Sequence, residues 1–236
     1  MFTRFFPPLC LVALLAGCGV KPVTVIDENG FARLAQRMPK ELQARRLLTD
    51  DGSWLMAFSP LGRGEYGETL FRRLSPSFMF GDSGHVYLGE TFAATLLQTS
   101  RVRHRSNGFS ISHPTQEIDL DMVAILDWND DGEDEWLVSC LVEPKKGGLT
   151  RTYYVLVPPP RDAGERLGGT VAAVYECFGL ACNLYVRDSR GVTRTAADPL
   201  APPTEVQDLT PGLQTVTTPP DKKTAESEDG LGEHDL

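Results

Sequence analysis

Short apolar runs separated by turn-forming residues dominate the middle of this chain and constrain its fold more than any other feature. Nine such runs lie at 53–58, 77–80, 85–89, 108–113, 121–128, 135–142, 152–158, 170–178 and 182–188. Clusters of Gly, Pro, Asn and Asp separate them, as in strands joined by tight turns. Many short strands at near-regular spacing favour a mainly β, mostly antiparallel domain, either sandwich-like or partly propeller-like. The run at 92–98 fits a helical turn or a strand equally well.

One N-terminal helical segment is predicted at 27–48, before these runs. Its apolar residues recur at i, i+3, i+4 and i+7, which is the period of a helix with one apolar face: Phe31, Leu34, Ala35 and Met38. Pro39 has no N–H to donate, so the helix should break or restart there. The polar side is basic. It could lie on anionic headgroups, or it could face water while the helix packs on the domain.

The two ends of the chain differ in composition from the body. The segment 198–236 carries nine Asp or Glu against two Lys, a net charge of −7, and has no aromatic residue. Such a segment cannot bury enough apolar surface to offset its chain entropy, so a disordered acidic, Pro-rich tail is expected. A single β-rich domain with the N-terminal helix is then predicted at 27–197. The acidic balance argues against a nucleic-acid partner, which would require a basic face.

The N-terminus has the layout of an export signal. Arg4 precedes a short apolar stretch that ends in small residues, and the stretch is shorter than the roughly 20 residues a spanning helix needs. The motif LAGC, Leu15 to Cys18, resembles the lipobox of bacterial lipoproteins. The alternative is an ordinary secretion signal, 1–17, followed by a chance Cys.

The lipobox resemblance has implications for processing and location. It implies that Cys18 is diacylated and becomes the mature N-terminus, with 18–26 as a linker to the membrane anchor. Gly19 follows Cys18, where an Asp would resemble an inner-membrane retention signal, so an outer-membrane location in the cell envelope is expected. The periplasmic or surface face stays open.

An acidic stretch between two apolar runs is the strongest candidate for a binding site. DWNDDGEDEW, at 127–136, holds six carboxylates between MVAIL and WLVSCLV. Its spacing is D-x-N-x-D-G-x-x-E, which can aim oxygens from alternate residues at one hard cation such as Ca²⁺. The predicted ligands are four side chains and the carbonyl of Glu133: Asp127, Asn129, Asp131 and Glu135. Asp130 and Asp134 occupy skipped positions and should point to water; the alternative is a solvated hairpin turn.

Two families share parts of this pattern. The EF-hand loop shares positions 1, 3, 5 and 6, but its twelfth position, a bidentate Glu, is Val138 here. Residues 122–142 resemble the calcium-loop hairpin of FG-GAP and VCBS-type repeats, in which D-x-D/N-x-D-G-x-x-D/E joins two apolar strands. That resemblance implies the same ligands, Asp127, Asn129, Asp131 and Glu135, with Glu133 as the backbone ligand.

The motif FGDSGH, at 80–85, resembles sequences around a catalytic serine in two enzyme families. FGDS after an apolar strand resembles the first block of SGNH-type esterases, with Ser83 as nucleophile, although the D-x-x-H block that supplies the base is not found. GDSG also occurs in trypsin-like proteases, but there the catalytic His precedes the Ser, and all four His here follow Ser83. A turn between two strands is the simpler interpretation, so a non-enzymatic protein is expected.

Three cysteines follow Cys18 in the mature chain, which allows three pairings for one disulfide. An exported protein meets an oxidising compartment, so one bridge is expected. Cys177 and Cys182 flank a short Gly-containing turn in CFGLAC and form the favoured pair. Cys140 lies in an apolar run, typical of a buried thiol.

These observations lead to one main functional hypothesis and two alternatives. The main hypothesis is a lipid-anchored envelope protein, a non-enzymatic binding or structural module with one calcium loop. The alternatives are a lipid-anchored esterase that uses Ser83 and an accessory subunit of an envelope complex, with the helix or the acidic tail as the contact.

Overall fold

A computed structural model describes residues 19–57, 64–79 and 90–187, together with the backbone of 193–196. The signal at 1–17, Cys18, Ser83 and the acidic tail at 198–236 therefore lie outside the described residues.

The N-terminal part supplies an edge of the sheet and two helices. Strand β1 is Pro22–Val25, helices α1 and α2 are Glu28–Arg37 and Pro39–Ala44, and strand β2 is Leu55–Met56. The predicted break is confirmed: α1 ends at Arg37, and Pro39 begins α2, where a missing N–H costs no helical hydrogen bond. The expected linker, 18–26, contains β1, so the folded domain begins closer to Cys18 than predicted.

Most of the remaining chain forms strands. Helix α3 is Tyr66–Arg73, and a 3₁₀ helix follows at Pro76–Met79. The later strands are β3 Arg101–His104, β4 Gly108–Ser112, β5 Gln116–Leu126, β6 Glu135–Pro144, β7 Leu149–Val157, β8 Thr170–Phe178, β9 Ala181–Arg187 and β10 Thr193–Ala196. The strand expected at 77–80 is wrong, since Pro76 starts a 3₁₀ turn there, and 92–95 forms turns.

The described strands join one sheet in the order β10-β9-β8-β7-β6-β5-β1-β2, which curls as a half-barrel. All pairings are antiparallel except that of β1 with β2. One side of β5 pairs with β6, and the other side pairs first with β4 and then with β1. The prediction of a mainly β, mostly antiparallel domain is confirmed. Helices, rather than a second sheet, cover the sheet faces in the described residues.

Two hydrophobic clusters lie on opposite faces of the sheet. Helix α3 and the 3₁₀ helix pack on one face with Phe109, Leu120 and Val138, while α1 and α2 pack on the other with Leu126 and Leu137. Of the helices in the described part of the chain, none combines the length and the apolar character that a bilayer crossing requires.

The burial pattern along β5 reflects this packing on both faces of the sheet. Its first half alternates, with Ile118 and Leu120 buried between half-exposed acidic residues, because only one face is covered there. From Met122 to Leu126 every residue is buried, because both faces are covered. A register shift between Met122 and Ala124 leaves Val123 as an extra residue, as in a β-bulge. The buried half ends directly at Asp127, where the acidic stretch begins.

Gly67 sets the close approach of α3 to the sheet. A Cβ atom at this position would lie 2.1 Å from the carbonyl oxygen of Arg105 and 2.2 Å from that of Gly108. No side chain fits between the helix and these backbone atoms, so the helix can pack this closely only with Gly at this position.

Candidate functional site

The acidic loop, residues 127–134, is the turn that joins β5 to β6. Gly132 has φ +87°, the left-handed conformation that the predicted sharp turn requires. Asp127 organises the loop from its first position. Its Oδ1 accepts hydrogen bonds from the amides of Asp130 at 2.7 Å and Asp131 at 3.2 Å, and its Oδ2 accepts one from Gly132 at 3.2 Å.

The other predicted ligands are also held by hydrogen bonds within the loop. Asn129 Nδ2 donates to Asp131 Oδ2 at 2.7 Å, and the amide of Glu133 donates to Asp131 Oδ1 at 2.8 Å. The amide of Trp128 donates to Glu135 Oε2 at 2.9 Å, which ties the start of β6 back to the end of β5. The carboxylates are thus directed by backbone amides, as the turn interpretation also requires.

The structure places the predicted ligands in the acidic loop and at the first residue of β6, without a closed metal cage. Within residues 19–57, 64–79 and 90–187, no three or more His, Cys, Asp and Glu side chains are grouped so as to hold a metal ion. The donor set still has the chemistry of a hard-cation site, because every predicted ligand atom is an oxygen and Ca²⁺ takes six to eight of them.

Two cations from the N-terminal part neutralise some of the loop's charge, and sequence reasoning missed both of them. Lys21 Nζ donates to the carbonyl oxygen of Asp127 at 2.5 Å and lies 3.7 Å from Asp127 Oδ2 and 3.4 Å from Asp130 Oδ1. Arg46 Nη2 donates to both carboxylate oxygens of Asp130, at 2.6 and 2.5 Å. With six carboxylates and these two cations, the group keeps a net charge of −4 (−6 + 2).

Asp130 was expected to point to water, and in the structure it also has an ion-pair partner. Its side chain is 56% exposed, but it leaves the loop toward Arg46, and this hydrogen bond lowers the pKa of Asp130. Both residues have left-handed backbones, with φ +66° for Asp130 and φ +60° for Arg46. They are the two non-glycine residues with positive φ in the described part of the chain, and each is the other's ion-pair partner.

A third basic residue packs on the same loop. The guanidinium of Arg45 lies 4.4 Å from the centroid of the Trp128 ring, and its Nη1 donates to the carbonyl oxygen of Trp128 at 3.3 Å. Burial lowers the pKa of Arg45. Two consecutive arginines that directly follow α2 therefore contact the loop. The Trp128 ring beneath the Arg45 guanidinium is almost fully buried.

Glu135 is a predicted ligand whose pKa is shifted in the folded protein. Burial raises its pKa, and the charges of Asp131 and Asp127 raise it further, while the hydrogen bond from the Trp128 amide lowers it. Its ionised form is thus disfavoured in the folded protein without a metal, and a cation beside it would reverse this effect.

The predicted cysteine pair is confirmed as a pair at bonding distance. Cys177 and Cys182 face each other on β8 and β9, with sulfurs 2.11 Å apart and Cα atoms 4.2 Å apart. Cys140 is buried on β6, with its thiol 3.8 Å from the sulfur of Met79. Cys18 and Ser83 lie outside the described residues, so the structure does not place the predicted lipidation site or the esterase nucleophile.

Comparison of the chain with protein-family models, with curated proteins and with solved structures finds no match.

Proposed function

We propose that the chain is an outer-membrane lipoprotein anchored through Cys18, which acts as a non-enzymatic binding or structural module of the cell envelope. The observation that carries this proposal is the lipobox-like motif at 15–18 followed at once by a folded domain. Four residues after Cys18, the chain is already part of the sheet at Pro22.

The tether between the anchor and the domain is short. Lys21 is fixed through its backbone as well as its side chain, since its amide donates to the carbonyl oxygen of Arg46 at 2.6 Å. Four Cα–Cα steps from Cys18 to Pro22 span at most about 15 Å. An anchored domain would therefore sit against the bilayer with β1 nearest to it.

Membrane partition tests the anchor. A Cys18→Ala chain should lose its acyl mass and move from the membrane fraction to the soluble fraction after cell lysis. The matched control is Cys10→Ala, which removes a cysteine from the expected signal and leaves the lipobox motif intact. Wild-type protein that is recovered soluble and unacylated would contradict the proposal, as would equal partitioning of the two variants.

We further propose that the acidic loop binds one Ca²⁺ through the side chains of Asp127, Asn129, Asp131 and Glu135 and the carbonyl of Glu133. Three features support it: the spacing of the oxygens, the left-handed turn at Gly132, and a residual charge that Lys21 and Arg46 do not balance. When bound, the ion would supply positive charge that fixes the loop between the ends of two buried strands.

Terbium luminescence tests the calcium site, because Tb³⁺ also prefers oxygen ligands and the indole of Trp128 or Trp136 can sensitise it. Asp131→Ala should abolish the signal, since it removes a central ligand. Asp134→Ala is the matched control because it removes a carboxylate at a skipped position of the same loop. Equal loss in both variants would mean that the loop attracts cations only through its charge.

The two alternative functions have direct assays. Ester hydrolysis that is abolished in Ser83→Ala would establish the esterase. A protein partner captured by the full chain but not by a chain lacking 198–236 would establish an accessory subunit that binds through its tail.

A further inference from the structure

Strand β2 exposes two large apolar side chains at consecutive positions, one on each face of the strand. Leu55 is 53% exposed and Met56 is 62% exposed. Neighbouring residues of a strand point to opposite faces, so both faces of this edge strand are apolar and open to solvent.

The register places these side chains next to the anchor segment. Leu55 is the partner of Pro22 and Met56 is the partner of Val23 in the β1–β2 pairing. Neighbouring strands lie about 4.8 Å apart, and the chain from Cys18 to Pro22 spans at most about 15 Å, so Leu55 lies within about 20 Å of Cys18.

The backbone under the patch is held in place. The amide of Ala57 donates to the carbonyl oxygen of Val23 at 2.8 Å, directly after β2. On the other side, the ring of Trp54 packs edge-on against buried Phe31 of α1, with centroids 5.2 Å apart. The exposure of Leu55 and Met56 is therefore a property of the fixed strand.

Two kinds of occupant fit an exposed apolar edge: another β-strand or a lipid surface. A two-residue strand offers too few backbone groups for an added strand to bind by hydrogen bonds. Unbranched and γ-branched apolar side chains beside an acyl anchor match the hydrocarbon boundary of a bilayer. The shortness of β2 and its position beside the anchor segment thus favour lipid.

We propose that Leu55 and Met56 form a second membrane contact, which rests on the bilayer that holds the Cys18 lipid. This inference rests on the proposed lipid anchor. It gives the anchored domain one orientation, with the β1–β2 edge against the hydrocarbon boundary and the far end of the sheet in water.

Leu97 provides a control of matched exposure at the opposite end. It is 57% exposed and lies four residues before β3, whose first residue pairs with Ser112. Ser112 in turn pairs with Glu117, near the start of β5, whereas β1 pairs with residues 124 and 125 near its end. Seven to eight residues of β5 therefore separate the position next to Leu97 from the position next to β1, a distance of about 25 Å.

A depth-sensitive probe tests the contact. Met56→Cys and Leu97→Cys chains, acylated and purified from membranes, are labelled with a nitrobenzoxadiazole maleimide and placed in phosphatidylcholine vesicles. Labelling of the unsubstituted chain serves as the background. EDTA is present throughout and the lipid is zwitterionic, so the acidic loop and calcium do not enter the result. The probe at 56 should shift its emission to the blue and be quenched by doxyl-labelled lipid, while the probe at 97 changes in neither respect.

The outcomes separate this inference from the anchor proposal. Acylated chains in which the probes at 56 and 97 respond alike would overturn the membrane contact and leave the anchor intact. A probe at 56 that is shielded but not quenched would reveal a protein neighbour and would also overturn it. Absence of acyl mass would overturn both. If Met56→Cys fails to fold, Leu55→Cys provides the same measurement on the other side chain of the patch.

Discussion

Calcium should raise the thermal midpoint of this protein through the acidic loop alone. The loop, the adjacent Glu135 and the two cations paired with the loop carry a net charge of −4, and buried strands fix both ends of the loop. A divalent ion would halve that charge. The unfolded chain spreads the same carboxylates apart, so the ion should bind the folded state more tightly.

The size of the effect follows from mass action. Extracellular calcium modules bind with dissociation constants of about 10⁻⁴–10⁻³ M. A tenfold excess over the dissociation constant stabilises the folded state by about 1.4 kcal/mol. For a domain of this size, each kcal/mol moves the midpoint by about 2–4 °C, which gives a rise of about 3–6 °C.

The assay is thermal unfolding followed by circular dichroism, on the Cys18→Ala chain, which needs no detergent. About 10 mM CaCl₂ saturates a site in this affinity range, and MgCl₂ at the same concentration controls for ionic strength. The midpoint should rise with calcium, fall back with EDTA and stay fixed in Asp131→Ala. An unmoved wild-type midpoint, or an equal rise with magnesium, would refute the calcium site and leave a solvated turn.

Three further substitutions test the electrostatics and the packing. Glu135→Gln should raise the thermal midpoint of the metal-free protein at neutral pH, because burial raises the pKa of Glu135 and the folded state loses stability as pH rises through that pKa. The same substitution should remove the response to calcium. A lower metal-free midpoint would contradict the effect of burial on Glu135. Asp130→Asn tolerates the left-handed backbone but loses the ion pair with Arg46, so the midpoint should fall at neutral pH. That difference should vanish as pH falls through the lowered pKa of Asp130, and a difference that persists in acid would assign the effect to something other than charge. Gly67→Ala should lower the free energy of unfolding in urea by about 1–3 kcal/mol or more, because a Cβ would meet two backbone carbonyls. Gly168→Ala is the control, since a Cβ there meets open space and should be tolerated. Similar losses of stability in both variants would contradict the close approach of α3 to the sheet.

Strand positions could be predicted from the sequence wherever one apolar run met clear turn residues. The runs at 108–113, 135–142 and 170–178 correspond to β4, β6 and β8 within a few residues. The run at 77–80 could not be resolved in this way. Four residues are too few to show a period, and the preceding Pro76 decides the conformation by fixing its own backbone.

Helix α3 was missed because it is short. Its buried residues Tyr66, Leu70 and Phe71 have helical spacing, but an eight-residue segment shows barely two turns of that period, and Gly67 lowers its helix propensity. Packing against the sheet stabilises it, through the close approach at Gly67. That contact depends on residues about forty positions later, which no local pattern contains.

In the candidate site, too, local features could be predicted from the sequence and long-range contacts could not. The turn at Gly132 follows from the spacing within the loop, and the structure has it. The cations that partly neutralise the loop, Lys21 and Arg46, come from 106 and 84 residues earlier in the chain, through the pairing of β1 with β5 and the position of α2. Local charge counting therefore overstated the repulsion in the loop and missed the partner of Asp130.

The mass of the N-terminal peptide, taken from protein extracted from isolated membranes with detergent, tests the lipid anchor most directly. The proposed function predicts that the mature chain begins at Cys18, that residues 1–17 are gone, and that the first peptide carries the mass of acyl chains which hydroxide treatment removes in part. A first peptide that begins elsewhere, or that begins at Cys18 without acyl mass, would contradict the anchor and with it the proposed place of this protein in the envelope.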